Sequence, residues 1–172
     1  YGIGKEGIAN DELDGETFYN FSKAYSSVIP AEKDCGMVCY HSTRTFYHSL
    51  NAFLAAGWKF EKMLFFYRPD KMPVHTWNGW MMTSQAIMLF SVGEPGYVKI
   101  SPAHQDVYRI TSTDLTEGRV LHPTVKPISN CSDLISHYAS TEVYDCFLGS
   151  GSTMVACHQL NRKCYGMEIE PT

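Results

Sequence analysis

The stretch Val143-Tyr-Asp-Cys-Phe-Leu-Gly-Ser-Gly-Ser-Thr-Met154 decides the fold, together with Cys164-Tyr-Gly-Met-Glu-Ile-Glu-Pro171 downstream of it. Its first five residues have the composition of a buried strand, and the two glycines that follow predict a tight turn. Ser152 and Thr153 then begin a predicted helix, which leads to a second strand. Glycines at such a turn let a ligand approach the backbone, and the free N–H groups of the helix start favour negative charge. The stretch therefore predicts half of a nucleoside-binding site.

Strand-like and helix-like segments alternate along the rest of the chain. Apolar residues at helical spacing predict helices, and short apolar runs predict strands. The run at 86–92 is continuously apolar, which is typical of a strand buried on both faces. This alternation predicts an α/β fold with an open, mostly parallel sheet and helices on both faces. The predicted helices cover 18–29, 46–54, 128–138 and 152–160, the predicted strands cover 37–41, 60–68, 86–92, 143–147 and 164–169, and the predicted loops cover 69–83 and 93–120.

Two carboxylates stand at the ends of the last two predicted strands. Glu168 follows Gly149 by 168 − 149 = 19 residues, an offset at which an acid binds both hydroxyls of a ribose. The third glycine of the dinucleotide fingerprint is missing, because Met154 stands three positions after Gly151; this disfavours a nicotinamide-dependent oxidoreductase. Asp145 favours a ligand with a positive group, such as the ammonium of S-adenosylmethionine. The alternative is a turn packed for steric reasons, with Asp145 capping it and Glu168 solvated.

A second motif is His122-Pro-Thr-Val-Lys-Pro127, which stands just before the helix predicted over 128–138. Its two prolines restrict the backbone to an extended entry into that helix. They would hold Thr124 and Lys126 in a defined place, where a hydroxyl and an ammonium bind a carboxylate. The alternative is an ordinary proline-bounded loop with an exposed lysine.

Composition excludes several classes of protein. The chain has 172 residues, 44% of them hydrophobic, with a net charge of −4, which fits one globular domain and excludes a disordered chain. The sequence contains no run of about 18 apolar residues, so it predicts no membrane span. The charges do not form the basic face of a typical nucleic-acid binder. Six cysteines without a C-x-x-C pair disfavour a metal site and predict reduced thiols in a cytoplasmic protein.

Taken together, the motifs resemble the S-adenosylmethionine-dependent DNA amino-methyltransferases. In that family an HPTxKP segment precedes a D-P-F-x-G-S-G loop, as it does here, except that Cys146 replaces the usual proline. Tyr1-Gly-Ile-Gly resembles the tail of the family's catalytic Asp-Pro-Pro-Tyr-Gly-Ile. The order of the motifs resembles the beta class. The resemblance implies a Rossmann-like methyltransferase fold over a single catalytic domain, 1–172, truncated at both ends.

The resemblance also implies roles for individual residues. Asp145 would meet the methionine ammonium of S-adenosylmethionine, and Glu168 would hold the ribose. Tyr1 would stack on a base extruded from the DNA, because the amino group is unreachable inside a duplex. The remaining implied cofactor contacts are Phe147, Gly149 and Gly151 along the cofactor, and Thr124, Lys126, Ser152 and Thr153 near its carboxylate.

The implied activity is transfer of a methyl group from S-adenosylmethionine to the exocyclic amino group of a flipped-out DNA base, with adenine N6 favoured. The alternatives are cytosine N4, a degenerate module of the same fold that binds without turnover, and a nicotinamide oxidoreductase. The two variable loops, 69–83 and 93–120, are the candidate target-recognition region. Their candidate DNA contacts, each with plain packing or surface exposure as the alternative, are Trp77, Trp80, Lys99, His104 and Arg109.

The predicted partner is DNA, with no membrane involved. The candidate recognition region is small. A second subunit in a homodimer, or further domains of the parent chain, would add to its contacts with DNA. The resemblance implies a bacterial or phage-encoded cytoplasmic protein, and one setting for it is a restriction-modification system.

Overall fold

The fold is an α/β arrangement, seen here in a computed structural model that describes residues 14–28, 34–69, 76–77, 79–81, 83–99, 104–110, 125–138 and 140–169. Each helix and strand that the sequence predicts is present, although not always with the predicted bounds. In chain order the helices and strands are α1 Gly15–Val28, β1 Cys35–Ser42, α2 Phe46–Ala55, β2 Lys59–Tyr67, β3 Thr76–Trp77, β4 Trp80–Met81, β5 Ser84–Val92, β6 Val107–Arg109, α3 Ile128–His137, β7 Glu142–Asp145, α4 Ser152–Gln159 and β8 Lys163–Gly166.

The larger sheet is built around β5. Its strand order is β1-β5-β2-β6, and β5 runs antiparallel to both of its neighbours, while β2 and β6 are parallel. Residues 86–90 of β5 are at most 5% exposed, as the continuous apolar run predicts. Ile87 and Leu89 point to one core of the sheet and Met88 and Phe90 to the other, because side chains alternate along a strand.

Helices cover both faces of this sheet. Leu134 of α3 packs with Ile87 and Leu89 on one face. On the other face, Phe53 of α2 packs with Met88 and Phe90, and α1 contributes Tyr25 to the rim of the same core. The prediction of helices on both faces is confirmed.

A separate two-stranded sheet pairs β7 with β8 in parallel, with Asp145 opposite Gly166 as the last pair. The helix α4 connects these strands and packs against β8 and against α3. Because α3 also packs on the larger sheet, it holds the two sheets in one structure.

The strand directions differ in detail from a mostly parallel sheet. The parallel pairs are β2 with β6 and β7 with β8, whereas β5 is antiparallel to its partners. The cause is the connection from β2 to β5, which contains no crossover helix among its described residues, so the chain returns in the opposite direction. Hydrophobic patterning does not distinguish a buried antiparallel strand from a parallel one.

Short strands occur where the sequence predicts loops. The stretch 69–83 carries the hairpin of β3 and β4, in which Trp77 pairs with Trp80, and the stretch 93–120 carries β6. Two or three residues are too few to show a period in the sequence. Conversely, β7 and β8 end earlier than predicted, because the chain turns directly after Asp145 and Gly166.

One buried histidine lies at the end of β1. His41 is 8% exposed, and its ring lies beside the rings of Phe18 and Phe53. Its Nε2 is 3.1 Å from Cys39 Sγ, within hydrogen-bonding distance. Burial lowers the pKa of the imidazole to about 4, so the side chain is neutral at physiological pH.

We expect this burial to make the fold sensitive to acid. The unfolded chain gains a proton at His41 below a pKa of about 6.5, whereas the folded chain does not until about pH 4. Stability is therefore lost as the pH falls through this window, by about 2 kcal/mol between about pH 7.5 and pH 5. Urea unfolding of the parent and of His41→Gln at both pH values measures the difference. Equal losses in the two proteins would contradict the prediction.

Candidate cofactor site

The turn after β7 is fastened to the end of β8. The N–H of Leu148 donates to the carbonyl of Met167 at 3.0 Å, and the N–H of Met167 donates to the carbonyl of Asp145 at 2.9 Å. A Cβ on Gly166 would lie 2.9 Å from a methyl carbon of Leu148, so a larger residue there would have to displace the Leu148 side chain. The ends of the two strands thus form one continuous surface.

The glycine turn itself leaves open space beside the start of α4. Gly149 and Gly151 have φ angles of 52° and 80°, a left-handed conformation that glycine adopts without strain. A Cβ built on Gly151 would have no atom of the described residues within 4 Å. No side chain caps α4 in this part of the chain, so the N–H groups of Ser152 and Thr153 stand at the positive end of the helix.

Two carboxylates accept hydrogen bonds from N–H groups of this turn. The Asp145 Oδ1 accepts the N–H of Phe147 at 3.0 Å, directly after β7. The Glu168 Oε2 accepts the N–H of Gly149 at 2.6 Å, and its Oε1 accepts the N–H of Ile169 at 2.9 Å. Glu168 therefore touches the same turn that it follows by 19 residues in the sequence. A carboxylate has enough lone pairs to accept further hydrogen bonds from a ligand.

The structure thus brings most of the predicted cofactor contacts together on one turn, namely Asp145, Phe147, Gly149, Gly151, Ser152, Thr153 and Glu168. Thr124 and Tyr1 lie outside the described residues.

Lys126 contacts the end of the larger sheet. Its Nζ is 3.1 Å from Gln85 Oε1 and lies over the rings of Tyr40 and Phe66, 5.1 and 5.8 Å from their centroids. Burial and the neighbouring Arg68 guanidinium lower the pKa of the Lys126 ammonium to about 8. These contacts belong to β1, β2 and β5 rather than to the glycine turn. The helix that follows Lys126, α3, packs against α4, which begins at the glycine turn.

Sequence reasoning missed two groups, one beside Tyr40 and Lys126 and one at the glycine turn. Asn130 in α3 is 2% exposed; its Oδ1 accepts the hydroxyl of Tyr40, and its Nδ2 has no partner among the described residues. An asparagine near a helix start reads from sequence as a solvated residue. The second group is α1, whose Phe21 and Tyr25 contact the ring of Phe147. An aromatic stripe on a helix reads from sequence as core, and no local signal assigns it to a site.

The candidate DNA contacts whose side chains are described are exposed. Trp80 in the β3–β4 hairpin is 75% exposed. Lys99, His104 and Arg109 are exposed as well, and His104 Nδ1 lies 3.9 Å from a carboxylate oxygen of Asp133. In the described part of the chain, no hydrogen bond or ring contact joins any two of these four. The side chain of Trp77 lies outside what the structure describes.

The described residues also bear on two other classes of site. No three metal-binding side chains converge there into a group that holds an ion. No helix within the described ranges has the length and apolar character required to cross a membrane. All six cysteines are free thiols.

The chain resembles known proteins in sequence and in fold. A family model described as DNA methylase, of the N6/N4 type, matches residues 1–172. The crystal structure of an M1.HpyAVI complex with S-adenosylmethionine (SAM) superimposes with a TM-score of 0.75 at 19% identity, covering 91% of this chain and 78% of that one. TTHA0409 of Thermus thermophilus, complexed with S-adenosyl-L-methionine, gives a TM-score of 0.60 at 12% identity, covering 91% and 72%. No curated protein matches the sequence.

The left-handed turn gives a direct test of the site's geometry. We expect Gly151→Ala to lower the free energy of unfolding by about 1–2 kcal/mol, because a Cβ there strains the backbone without meeting any described atom. Gly151→Asn is the matched control, since asparagine tolerates this conformation better, and should cost less. Urea unfolding of both variants measures the difference. An alanine variant as stable as the parent would contradict a left-handed turn at Gly151.

Proposed function

Because the chain belongs to the N6/N4 family of DNA methylases, we propose that it transfers a methyl group from S-adenosylmethionine to the exocyclic amino group of a DNA base. Adenine N6 is the proposed target, with cytosine N4 as the alternative acceptor for the same site. The observation that carries the proposal is the family match over residues 1–172, combined with a glycine turn framed by Asp145 and Glu168.

The described residues fit the proposed cofactor. Open space lies beside Gly151, where a side chain would otherwise project. The carboxylate of Glu168 is suited to ribose hydroxyls, and that of Asp145 to an ammonium group. The N–H groups at the start of α4 are suited to a carboxylate. S-adenosylmethionine carries all three of these groups, and two of the solved structures with the same fold are complexes with it.

When bound, S-adenosylmethionine supplies an activated methyl group, and the chain's own residues bind and orient. Asp145 holds its carboxylate in place by accepting the N–H of Phe147, so its second oxygen is directed before any ligand arrives. Glu168 is held in the same way by Gly149 and Ile169. Such fixed acceptors lose little side-chain entropy on binding, which strengthens the interaction.

The target base is proposed to leave the DNA stack, because an exocyclic amino group inside a duplex cannot reach a buried cofactor. Tyr1 is the proposed stacking partner of the extruded base, on the strength of the resemblance of residues 1–4 to the tail of the catalytic motif. Trp77, Trp80, Lys99 and Arg109 are the proposed DNA contacts. Of these, Trp80 is the strongest candidate, since its large ring is exposed on a hairpin.

Incorporation of labelled methyl groups into DNA by the full chain tests the proposal. Nucleoside analysis of the product then separates N6-methyladenine from N4-methylcytosine. Binding of cofactor and DNA without incorporation would favour a module of the same fold that has lost turnover. Absence of cofactor binding would contradict the proposal.

We expect Asp145→Asn to weaken the binding of S-adenosylmethionine by about 10-fold to 100-fold, because a charge-assisted hydrogen bond contributes about 1.5–3 kcal/mol. Glu142→Gln is the matched control: it removes a carboxylate at the other end of the same strand, where Glu142 pairs with Lys163 at the surface. Isothermal titration measures both dissociation constants. Equal effects of the two substitutions would contradict the assigned role of Asp145.

We expect Trp80→Ala to raise the KM for DNA by about 5-fold to 100-fold, because stacking of a base on an aromatic ring contributes about 1–3 kcal/mol. Trp80→Phe keeps a ring and should lose less. The KM for S-adenosylmethionine should stay unchanged in both variants, since the hairpin lies outside the glycine turn. A KM for DNA that is the same in the parent and in Trp80→Ala would show that Trp80 does not contact DNA.

A further inference from the structure

Two aromatic residues of α1 hold the ring that projects from the glycine turn. The side chain of Phe147 is 59% exposed, yet one edge of it is packed. Tyr25 contacts it nearly at right angles, with ring centroids 5.2 Å apart, and Phe21 lies 6.2 Å away. The perpendicular pairing with Tyr25 is a favourable geometry for aromatic rings. The exposed face of Phe147 is therefore presented to solvent in one orientation.

Tyr25 is itself fixed from several sides. Its ring packs against Phe21 at 5.3 Å and against Phe53, which is fully buried, at 5.6 Å. Its hydroxyl lies 3.8 Å from Cys39 Sγ in β1, and Cys39 Sγ lies 3.1 Å from His41 Nε2. Burial raises the pKa of the Tyr25 phenol, so the hydroxyl stays protonated. Tyr25 thus contacts both the larger sheet and the turn after β7, and it links their positions.

This contact matters because the two sheets share no strand pairing among the described residues. The position of the turn relative to the larger sheet therefore depends on side-chain packing. The N–H of Phe147 also donates to Asp145 Oδ1, so any displacement of Phe147 moves the hydrogen bond that orients the Asp145 carboxylate. A contact that fixes the ring of Phe147 consequently also fixes the orientation of the Asp145 carboxylate, and both groups are proposed to contact the ligand.

We propose that Phe21 and Tyr25 are positioning residues for the cofactor, which set its affinity by holding Phe147 and, through it, Asp145. This inference rests on the proposed function, in which Phe147 and Asp145 contact S-adenosylmethionine. Without the two rings, Phe147 becomes a free rotor whose ordering must accompany binding. Ordering one such side chain weakens binding by roughly 2-fold to 12-fold.

Isothermal titration of the full chain with S-adenosylmethionine tests the inference, because it reports the dissociation constant separately from the number of competent sites. Tyr25→Leu removes the ring that contacts Phe147, and Tyr25→Phe keeps the ring but removes the hydroxyl near Cys39. Tyr19→Leu is the matched control: Tyr19 lies on the same helix and takes part in no ring contact recorded among the described residues. We expect Tyr25→Leu to weaken binding about 3-fold to 10-fold, and the other two to stay within about 2-fold of the parent.

A merely structural role would lower the number of competent sites and leave the dissociation constant unchanged. It would also weaken DNA binding in parallel, whereas we expect the dissociation constant for DNA to stay that of the parent. Should Tyr25→Leu fail to fold, Phe21→Leu provides the same comparison, since Phe21 contacts Phe147 directly and is not among the residues packed against the core cluster that Tyr25 joins.

Phe147→Ala separates this inference from the proposed function. If the parent binds and Phe147→Ala weakens binding, but Tyr25→Leu and Phe21→Leu do not, the inference is wrong and the proposed function stands. Equal weakening by Tyr19→Leu would also overturn it, because the effect would then be general to the helix. A parent chain that does not bind S-adenosylmethionine overturns the proposed function, and this inference with it.

Discussion

The architecture depends on removing β5 from water on both of its faces. Five consecutive residues, 86–90, are buried there, and each large apolar side chain among them contributes about 1.5–3 kcal/mol when fully buried. A strand of this kind is stable only if something covers each face, so α1 and α2 lie on one side and α3 on the other. Because α3 also packs against α4, the burial of one strand determines where the glycine turn stands.

The site combines a rigid backbone with fixed acceptors. The turn is anchored by backbone hydrogen bonds to the end of β8, and the two carboxylates beside it are oriented by N–H groups of the turn itself. Packing from α1 adds a third restraint through the ring of Phe147. The geometry at the turn is therefore set by three kinds of interaction, among which only the hydrogen bond between Asp145 and the N–H of Phe147 is local in sequence.

The parts that were predictable from sequence are those with a local cause. Gly149 and Gly151 mark the turn because few other residues adopt its backbone angles, and the run at 86–92 marks a doubly buried strand. The contact of Tyr25 with Phe147 joins residues 122 positions apart (147 − 25), so no local sequence pattern predicts it. The direction of β5, the two-residue strands β3 and β4, and the placement of Lys126 over the larger sheet likewise follow from tertiary structure rather than from patterning.

Because β5 lies between β1 and β2, these three strands are able to pair only after β5 has been synthesised. β1 and β2 come earlier in the chain and do not pair with each other. Each of them pairs with β5, whose residues are synthesised later. Until residues 84–92 leave the ribosome, both earlier strands present unpaired edges and apolar faces. Long-range pairing of this kind slows folding, and exposed strand edges invite association with other chains. Production of this protein should therefore be sensitive to the rate of translation and to chaperones that shield nascent strands.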